Sequence, residues 1–263
     1  MTLDGSDLSE WSLGAGLEGQ GVVVTGAAGG IGRAVAFAFA AVGARVMAVD
    51  MDEEEVTEIA SALPGAGHFG MAADLRQLDS HGELLAAAES RLGPVRALAH
   101  VAAVLRRRSD IDDVSEADWD LQMDTNLKAT FFLCRAVADA MAARGGPGSV
   151  ITFSSQGWWT GGFGGSVVYN AAKGGIVTLT RGLARVYGPS GVTCNSVAPG
   201  QVRTPMLLDD LDPAVLKTMT DSTPLGRVAE PEEIAPLVVF LASDHARFIT
   251  GATINISGGM LMY

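Results

Sequence analysis

Short, nearly continuous apolar runs alternate with longer helical patterns along almost the whole chain. Seven runs predict strands, near Gly21–Thr25, Ala44–Asp50, His68–Ala73, Ala97–Val101, Ser149–Ser154, Thr193–Val197 and Thr253–Ile256. Six segments have helical spacing, near Ile31–Val42, Glu53–Leu63, His81–Leu92, Glu116–Ala143, Tyr169–Tyr187 and Pro231–Ala242. Because the strands lack apolar/polar alternation, they indicate a parallel sheet covered by helices on both faces. The pattern predicts an α/β protein with a doubly wound sheet of about seven strands.

No Pro/Ser-rich linker divides this pattern, so residues 19–263 are predicted to form one domain. Residues 1–18 are predicted to be a loose amino-terminal arm. They carry acidic residues where a secretory signal would have a basic start and an apolar run. The one long irregular stretch in the second half, near residues 200–224, is the candidate for a substrate lid.

The formal net charge of −12 opposes unspecific attraction to nucleic acid or to anionic membranes, and it favours a soluble protein with a small-molecule ligand. Cys134 and Cys194 form no CxxC pair, and the four histidines include no HExxH motif. We therefore expect no metal and a cytoplasmic location.

The first strand runs into the sequence TGAAGGIG, residues 25–32, and then into a helical pattern. Glycines permit a tight turn, and the free amides at the start of a helix attract the pyrophosphate of a dinucleotide. Asp50 ends the second strand, where its carboxylate can accept hydrogen bonds from the adenosine ribose. A 2′-phosphate some 5 Å away would cost about 3 kcal/mol, so NAD is predicted over NADP. Asp74 ends the third strand and is either an adenine contact or a helix cap.

Tyr169 and Lys173 are four residues apart in a predicted helix and therefore share one face. Hydride exchange between a bound dinucleotide and an alcohol also needs a proton to move. A phenol can move it near neutral pH when a fixed lysine and the positive nicotinamide ring both favour the phenolate. Ser155 follows the fifth predicted strand and can hydrogen-bond the substrate oxygen.

These motifs, in this order, resemble the short-chain dehydrogenase/reductase family in its ordinary-length branch. The glycine turn matches Thr-Gly-xxx-Gly-x-Gly, Tyr169 and Lys173 match YxxxK, and NSVAPG matches Asn-x-x-x-Pro-Gly. The resemblance covers nearly the whole chain after the arm. It implies a Rossmann fold, a nicotinamide cofactor and, in most members, a homotetramer.

The resemblance also implies roles for four residues. Tyr169 would be the general acid/base, Lys173 would lower its pKa and hold the nicotinamide ribose, Ser155 would orient the substrate, and Asn126 would anchor a water in the proton path. The expected cofactor contacts are Gly26, Gly30, Ile31, Gly32, Asp50, Asp74, Leu75, Ala102, Tyr169, Lys173, Pro199, Gly200, Val202 and Thr204.

Two departures from the family pattern bear on the site. The family's Asn-Asn-Ala-Gly is replaced by HVAA, residues 100–103, and we interpret His100 as a structural residue within the sheet. The interval between Ser155 and Tyr169 is one residue longer than the commonest spacing, which keeps Ser154 as an alternative to Ser155.

The substrate pocket is predicted from residues after the fifth strand and in the lid. These are Ser155, Trp158, Trp159, Met206 and Leu207, with Phe163 in the same aromatic loop. The aromatic residues could instead pack under the lid or at a subunit contact. Arg106–Arg108 follow the fourth strand and either steer an anionic substrate or form a solvated, salt-bridged loop.

Together these observations predict an NAD-dependent oxidoreductase that transfers hydride between nicotinamide and a small-molecule secondary alcohol or ketone. One alternative is an NADPH-dependent reductase of 3-oxoacyl thioesters. Another is a dinucleotide-binding sensor that has lost catalysis, which the Ser155, Tyr169 and Lys173 set argues against. The identity of the substrate and the direction of the reaction do not follow from the sequence.

Overall fold

All seven predicted strands form, and they lie side by side in one parallel sheet. The structure is a computed structural model that describes residues 11–162, 166–209 and 211–262. The strands are β1 (Gly21–Thr25), β2 (Arg45–Asp50), β3 (Phe69–Ala72), β4 (Val95–His100), β5 (Gly148–Phe153), β6 (Val192–Pro199) and β7 (Thr253–Ile256). Their order across the sheet is β3-β2-β1-β4-β5-β6-β7, which confirms the doubly wound α/β fold.

Helices connect successive strands and cover both faces of the sheet. They are α1 (Gly30–Ala41), α2 (Glu53–Ala62), α3 (Ser80–Leu92), α4 (Glu116–Met123), α5 (Ala129–Arg144), α6 (Gly157–Thr160), α7 (Val167–Tyr187), α8 (Pro205–Leu208), α9 (Pro213–Asp221) and α10 (Ala235–Ala242). The long helix predicted at Glu116–Ala143 is α4 and α5 joined by a π turn, Asp124–Lys128. The predicted last helix begins with a 3₁₀ turn, Pro231–Glu233, ahead of α10.

The central strands are apolar throughout because each face of the sheet has its own core. In β1, Val22 and Val24 pack with Phe39 of α1 on one face, whereas Val23 packs with Leu133 of α5 on the other. All five of these side chains are fully buried. Consecutive residues of a strand point to opposite faces, so two helical layers require an apolar side chain at every position.

Residues 11–18 do not form the loose arm that the sequence predicts. Leu17 is fully buried, the amide of Asp244 donates to the carbonyl of Ala15 at 2.9 Å, and the ring of Trp11 stacks on His245 at 5.3 Å. The apolar side chain of Leu17 explains this attachment, because it completes the core beneath α1. Residues 1–10 of the predicted arm lie outside the described residues.

The order of the strands fixes where a ligand can enter the sheet. The chain passes from β1 outward to β2 and β3, then returns to β4 on the other side of β1. The connections after β1 and β4 therefore leave the carboxyl edge of the sheet in opposite directions and open a crevice between them. The glycine turn follows β1, so it lies at this crevice.

Candidate active site

A cleft of about 990 Å³ runs along the carboxyl ends of the strands. Every residue that the sequence places against the cofactor lines it: Gly26, Gly30, Ile31, Gly32, Asp50, Asp74, Leu75, Ala102, Tyr169, Lys173, Pro199, Gly200, Val202 and Thr204. Ser155, Met206 and Leu207, predicted for the substrate pocket, line the same cleft. The fold thus brings distant motifs into one continuous space.

The glycine turn needs glycine at two positions for steric reasons. Gly26 has a φ of +68°, and a Cβ there would lie 2.6 Å from the backbone nitrogen of Ala102. A Cβ on Gly32 would lie 1.9 Å from the carbonyl oxygen of Gly26. The turn therefore packs against β4 and against α1 more closely than any side chain allows, and it leaves the amides at the start of α1 open to the cleft.

Asp50 is held at the edge of the cleft by two backbone amides. Ala28 of the glycine turn donates to its Oδ2 at 2.9 Å, and Met51 donates to its Oδ1 at 2.8 Å. These bonds link the end of β2 to the glycine turn. Each carboxylate oxygen keeps a free lone pair, so the group can still accept hydrogen bonds from a ribose.

Asp74 does not cap a helix, because α3 begins at Ser80 and its N-cap is Asp79. Instead its carboxylate receives a two-pronged ion pair from Arg76, whose Nη2 lies 2.7 Å from Oδ2. Hydrogen bonds from the Arg76 side chain are the main reason that the pKa of Asp74 is lowered. The sequence reasoning missed Arg76, although an arginine two residues after a strand-end aspartate was visible.

Tyr169, Lys173 and Ser155 converge at one point of the cleft. The Nζ atom of Lys173 lies 5.4 Å from the centre of the Tyr169 ring and donates to the carbonyl of Phe153 at 2.8 Å. Ser155 and Tyr169 line the same part of the cleft, and Ser155 is near enough to the phenol to oppose the rise in its pKa. Ser154 is buried and donates its hydroxyl to the carbonyl of Lys173 at 2.8 Å. The geometry therefore favours Ser155 over Ser154 as the serine that faces a substrate.

The protein's own residues raise the pKa of Tyr169 above its ordinary value, so the expectation that Lys173 lowers it together with an oxidised nicotinamide ring stays a prediction. Burial raises the pKa of Tyr169 to about 12, and Ser155 offsets only part of this effect. Lys173 is itself only 2% exposed, and burial lowers its pKa to about 7. A lysine that holds its proton weakly near neutral pH is a weak source of positive charge, so burial outweighs attraction in this pair.

Trp158 and Trp159 do not line the cleft, contrary to the prediction. Residues 157–160 form the short helix α6, which turns Gly157 and Thr160, three residues apart, toward the cleft. The two tryptophans pack edge to face against each other at 5.2 Å, and Trp159 is 59% exposed. Phe163, from the same predicted aromatic wall, lies outside the described residues.

Comparisons with known proteins identify the family. The sequence model described as enoyl-(acyl carrier protein) reductase matches residues 26–261. The (3R)-3-hydroxyacyl-CoA dehydrogenase of Mus musculus is 35% identical over 91% of this chain and 95% of its own length. The D-threitol dehydrogenase of Mycolicibacterium smegmatis is 37% identical over 92% and 93%. A short-chain dehydrogenase from Brucella melitensis superimposes with a TM-score of 0.86 at 33% identity, covering 94% of this chain and 98% of that structure.

The chain belongs to the short-chain dehydrogenase/reductase family. It is an oxidoreductase of the kind that acts on hydroxyl groups. A second solved member of the family shares 38% of its residues with this chain, with a TM-score of 0.83, over 92% of this chain and 97% of that structure.

Asn126 of this short-chain dehydrogenase/reductase lies at the centre of the π turn, fully buried and just outside the cleft. Its side chain accepts from the amide of Val104 and donates to the carbonyl of the same residue, each at 2.8 Å. The asparagine therefore fixes the segment after β4, which forms one wall of the cleft.

His100, in β4, bridges a hydroxyl group of β1 and a hydroxyl group of α5, as predicted for a structural residue. Its Nδ1 lies 2.8 Å from Thr25 Oγ1, and its Nε2 lies 2.9 Å from Thr130 Oγ1. Thr130 donates its own proton to the carbonyl of Asn126 at 2.7 Å, so His100 carries its proton on Nε2 and accepts from Thr25 at Nδ1. Burial lowers the pKa of His100 to about 3. Sequence reasoning missed both threonine partners because they are distant in the chain.

Asn170 was also missed, although it follows Tyr169 directly. Its amide nitrogen donates to the carbonyl of Ser166 at 2.9 Å. A Cβ added to Gly157 or Gly162 would come within 1.8 Å of the Asn170 amide group. Asn170 therefore fixes the loop that frames the cleft in front of Tyr169.

Among the described residues no group of histidine, cysteine, aspartate and glutamate is arranged to hold a metal ion. Over the same part of the chain, no helix is long and apolar enough to cross a membrane.

Proposed function

We propose that this protein is an NAD-dependent dehydrogenase or reductase that transfers hydride between nicotinamide and a secondary alcohol or ketone. The observation that carries the proposal is the convergence of Ser155, Tyr169 and Lys173 in the cleft that also contains the glycine turn. A hydride acceptor site and a proton-transfer group in one cleft are the two requirements of this reaction.

Tyr169 is the group that moves the proton to or from the substrate oxygen. Ser155, which lines the cleft beside Tyr169, can hold the same substrate oxygen and so align it with the tyrosine. When bound, the nicotinamide supplies or accepts the hydride, and the positive charge of its oxidised ring favours the phenolate. Lys173 lies on the same face and is anchored on Phe153, where it can hold a ribose hydroxyl. Asn126 does not line the cleft itself, but its side chain fixes Val104, which does.

The preference for NAD rests on Asp50. Its carboxylate is fixed by Ala28 and Met51 at the end of β2, next to Glu55 on the cleft wall. Arg76 also lines this part of the cleft, but Asp74 already neutralises it. A 2′-phosphate would therefore meet uncompensated negative charge.

The segment 200–224 is proposed as a lid over the substrate. It contains α8 and α9, and its residues Met206, Leu207 and Val215 line the cleft. Apolar side chains on a segment with few bonds to the sheet can close over a substrate and exclude water. Asp210, within this segment, lies outside the described residues.

A hydroxyacyl thioester is the second candidate for the substrate. The similarity to a (3R)-3-hydroxyacyl-CoA dehydrogenase and the arginines that line the cleft after β4 favour it. Asp50 argues against the NADPH that a reductase of such thioesters would prefer.

The proposal is tested by incubating the purified protein with NAD or NADP and a panel of secondary alcohols, while following the absorbance of reduced nicotinamide. We expect turnover with NAD and at least about a hundredfold lower efficiency with NADP, given the carboxylate at position 50. Tight NAD binding without turnover of any alcohol, thioester or ketone would instead support a dinucleotide sensor.

A further inference from the structure

Arg106 and Arg107 lie in the substrate half of the cleft. They follow β4, which is the neighbour of β5, and β5 leads directly into Ser155. Asp50, which marks the adenosine half, ends β2 on the opposite side of β1. The two arginines are thus on the side of Tyr169 and away from the ribose that Asp50 would hold.

The backbone that carries these arginines is anchored at three points. Val104 is bound to the side chain of Asn126. The amide of Arg106 donates to the buried Oε1 of Gln122 at 3.0 Å. Arg108 forms a two-pronged ion pair with Asp118, with bonds of 2.6 and 2.9 Å. The segment is therefore a fixed wall of the cleft.

Arg106 and Arg107 differ from Arg108 because no ion pair or hydrogen bond engages their guanidinium groups within the described part of the chain. Seven arginines of the described part of the chain are paired with carboxylates, namely Arg76, Arg96, Arg108, Arg144, Arg203, Arg227 and Arg247. Among the described residues, Arg181 and Arg185 of α7 are equally unpaired, and Arg33, Arg91 and Arg135 contact only aromatic rings. All five lie outside the cleft. Arg106 and Arg107 are therefore two unpaired cations that line the cleft of a chain with a net charge of −12.

The lid segment adds an apolar part to the lining of the cleft. Within residues 206–219 of the lid segment, five apolar residues line the cleft: Met206, Leu207, Leu211, Val215 and Met219. A substrate that fits both parts of the lining has an apolar body near the lid and a negative group near the arginines. The planar fork of arginine matches a carboxylate or a phosphate through two parallel hydrogen bonds.

We propose that Arg106 and Arg107 form an anion-binding subsite, so that the substrate is a secondary alcohol or ketone that carries a carboxylate or a phosphate. This inference rests on the proposed dehydrogenase function. The arginines attract the anion as it enters and hold it while the carbinol lies against Ser155 and Tyr169.

Matched pairs of substrates that differ only in charge test the subsite with NAD as cofactor. For a carboxylate, the probes are straight-chain hydroxy acids and their methyl esters. For a phosphate, the probes are the β-hydroxybutyryl thioesters of 4′-phosphopantetheine and of pantetheine, which differ only in the phosphate. The variants are Arg106→Gln with Arg107→Gln, and the control Arg181→Gln with Arg185→Gln, which removes the same charge outside the cleft.

We expect kcat/KM for the charged member of one pair to exceed that of its neutral partner by about tenfold or more at low salt. This preference should shrink as ionic strength rises, disappear in the Arg106/Arg107 variant and persist in the Arg181/Arg185 variant. The pair that shows the preference identifies the anion as carboxylate or phosphate. NAD affinity should stay within about twofold in both variants, since neither changes the adenosine half.

Equal efficiency for charged and neutral partners would overturn the inference while leaving the dehydrogenase function intact. A preference that survives in the Arg106/Arg107 variant would also overturn it, as would loss of NAD affinity in that variant. Absence of turnover with every probe would refute the proposed function and this inference together.

Discussion

The ammonium nitrogen of Lys173 lies 5.4 Å from the centre of the Tyr169 ring and donates to the carbonyl oxygen of Phe153. The lysine therefore lies beside the tyrosine but is hydrogen-bonded to the end of β5. Because both groups are desolvated, burial sets their pKa values, near 12 for the phenol and near 7 for the amine. Ionisation of Tyr169 near neutral pH thus requires additional positive charge in the cleft.

Replacement of Tyr169 by Phe should lower kcat by about a hundredfold to ten-thousandfold, because the variant loses the proton-transfer group. NAD affinity should change by less than about threefold, since the ring and the cleft remain. Steady-state kinetics and titration of NAD binding by tryptophan fluorescence measure the two effects.

Tyr187→Phe is the matched control on the same helix. Its hydroxyl donates to Asp139 at 2.6 Å, outside the cleft. This change should reduce the free energy of unfolding by about 1 kcal/mol and leave kcat unchanged. If both tyrosine variants lost activity and stability alike, Tyr169 would be a structural residue.

Replacement of Lys173 by Met should stabilise the protein more at low pH than at high pH. In the folded state the pKa of Lys173 is about 7, below its ordinary value of 10.5, so between these values the unfolded chain binds the extra proton. Wild-type stability therefore rises with pH in this window. The difference in free energy of unfolding between the variant and wild type should therefore favour the variant by roughly 2–3 kcal/mol more at about pH 6 than at about pH 9.

Urea denaturation at the two pH values measures this difference, and Lys217→Met is the control. Lys217 is exposed and pairs with Asp221 on α9, so its variant should follow wild type at both pH values. An equal effect of Lys173→Met at both pH values would mean that the buried lysine keeps its proton throughout the range, as it does in the unfolded chain.

Replacement of Asp50 by Asn should improve the efficiency with NADP relative to NAD by about a hundredfold, because one negative charge near the 2′-phosphate is removed. The ratio of kcat/KM for the two cofactors measures the change. Asp52→Asn removes the same charge from the N-cap of α2, where asparagine caps equally well, and it should leave the ratio within about threefold. A similar shift in both variants would indicate a general effect of charge.

Replacement of His100 by Asn should make the protein less sensitive to acid. The pKa of His100 is about 3 in the folded state and ordinarily 6.5, so the unfolded chain takes up a proton first as the pH falls. Between about pH 6.5 and pH 4, the free energy of unfolding of wild type should therefore fall by roughly 3 kcal/mol more than that of the variant. Denaturation curves at the two pH values measure the loss.

The exposed His245, which stacks on Trp11, provides the control for this experiment. His245→Asn should lose as much stability as wild type over the same range. Equal acid sensitivity of His100→Asn and wild type would show that His100 becomes protonated within the folded sheet.

The strands were predictable because a residue in a two-sided sheet must be apolar wherever it points. Val22, Val23 and Val24 illustrate this rule, since each packs in one of the two cores. Helix periodicity likewise placed Tyr169 and Lys173 on one face. The same local reasoning failed for Trp158 and Trp159, because the loop after β5 forms a helical turn whose cleft-facing residues are Gly157 and Thr160.

Long-range partners could not be predicted in the same way. The bridge from Thr25 through His100 to Thr130 joins residues that are 75 and 30 positions apart. Which of the three arginines is paired also depends on where α4 packs. Asp118 of α4 holds Arg108, whereas Arg106 and Arg107 have no ion pair among the described residues. A run of three arginines gives no indication of which charges are neutralised.

The sequence by itself determined the seven-stranded α/β sheet, the glycine turn and the shared face of Tyr169 and Lys173, because these follow from backbone periodicity and the sterics of glycine. Only the tertiary structure decided the pKa values of Tyr169 and Lys173 and which residues line the cleft. It also decided that Arg106 and Arg107 have no ion pair among the described residues. Desolvation and pairing depend on which distant groups pack against a side chain, and neither quantity is a property of local sequence.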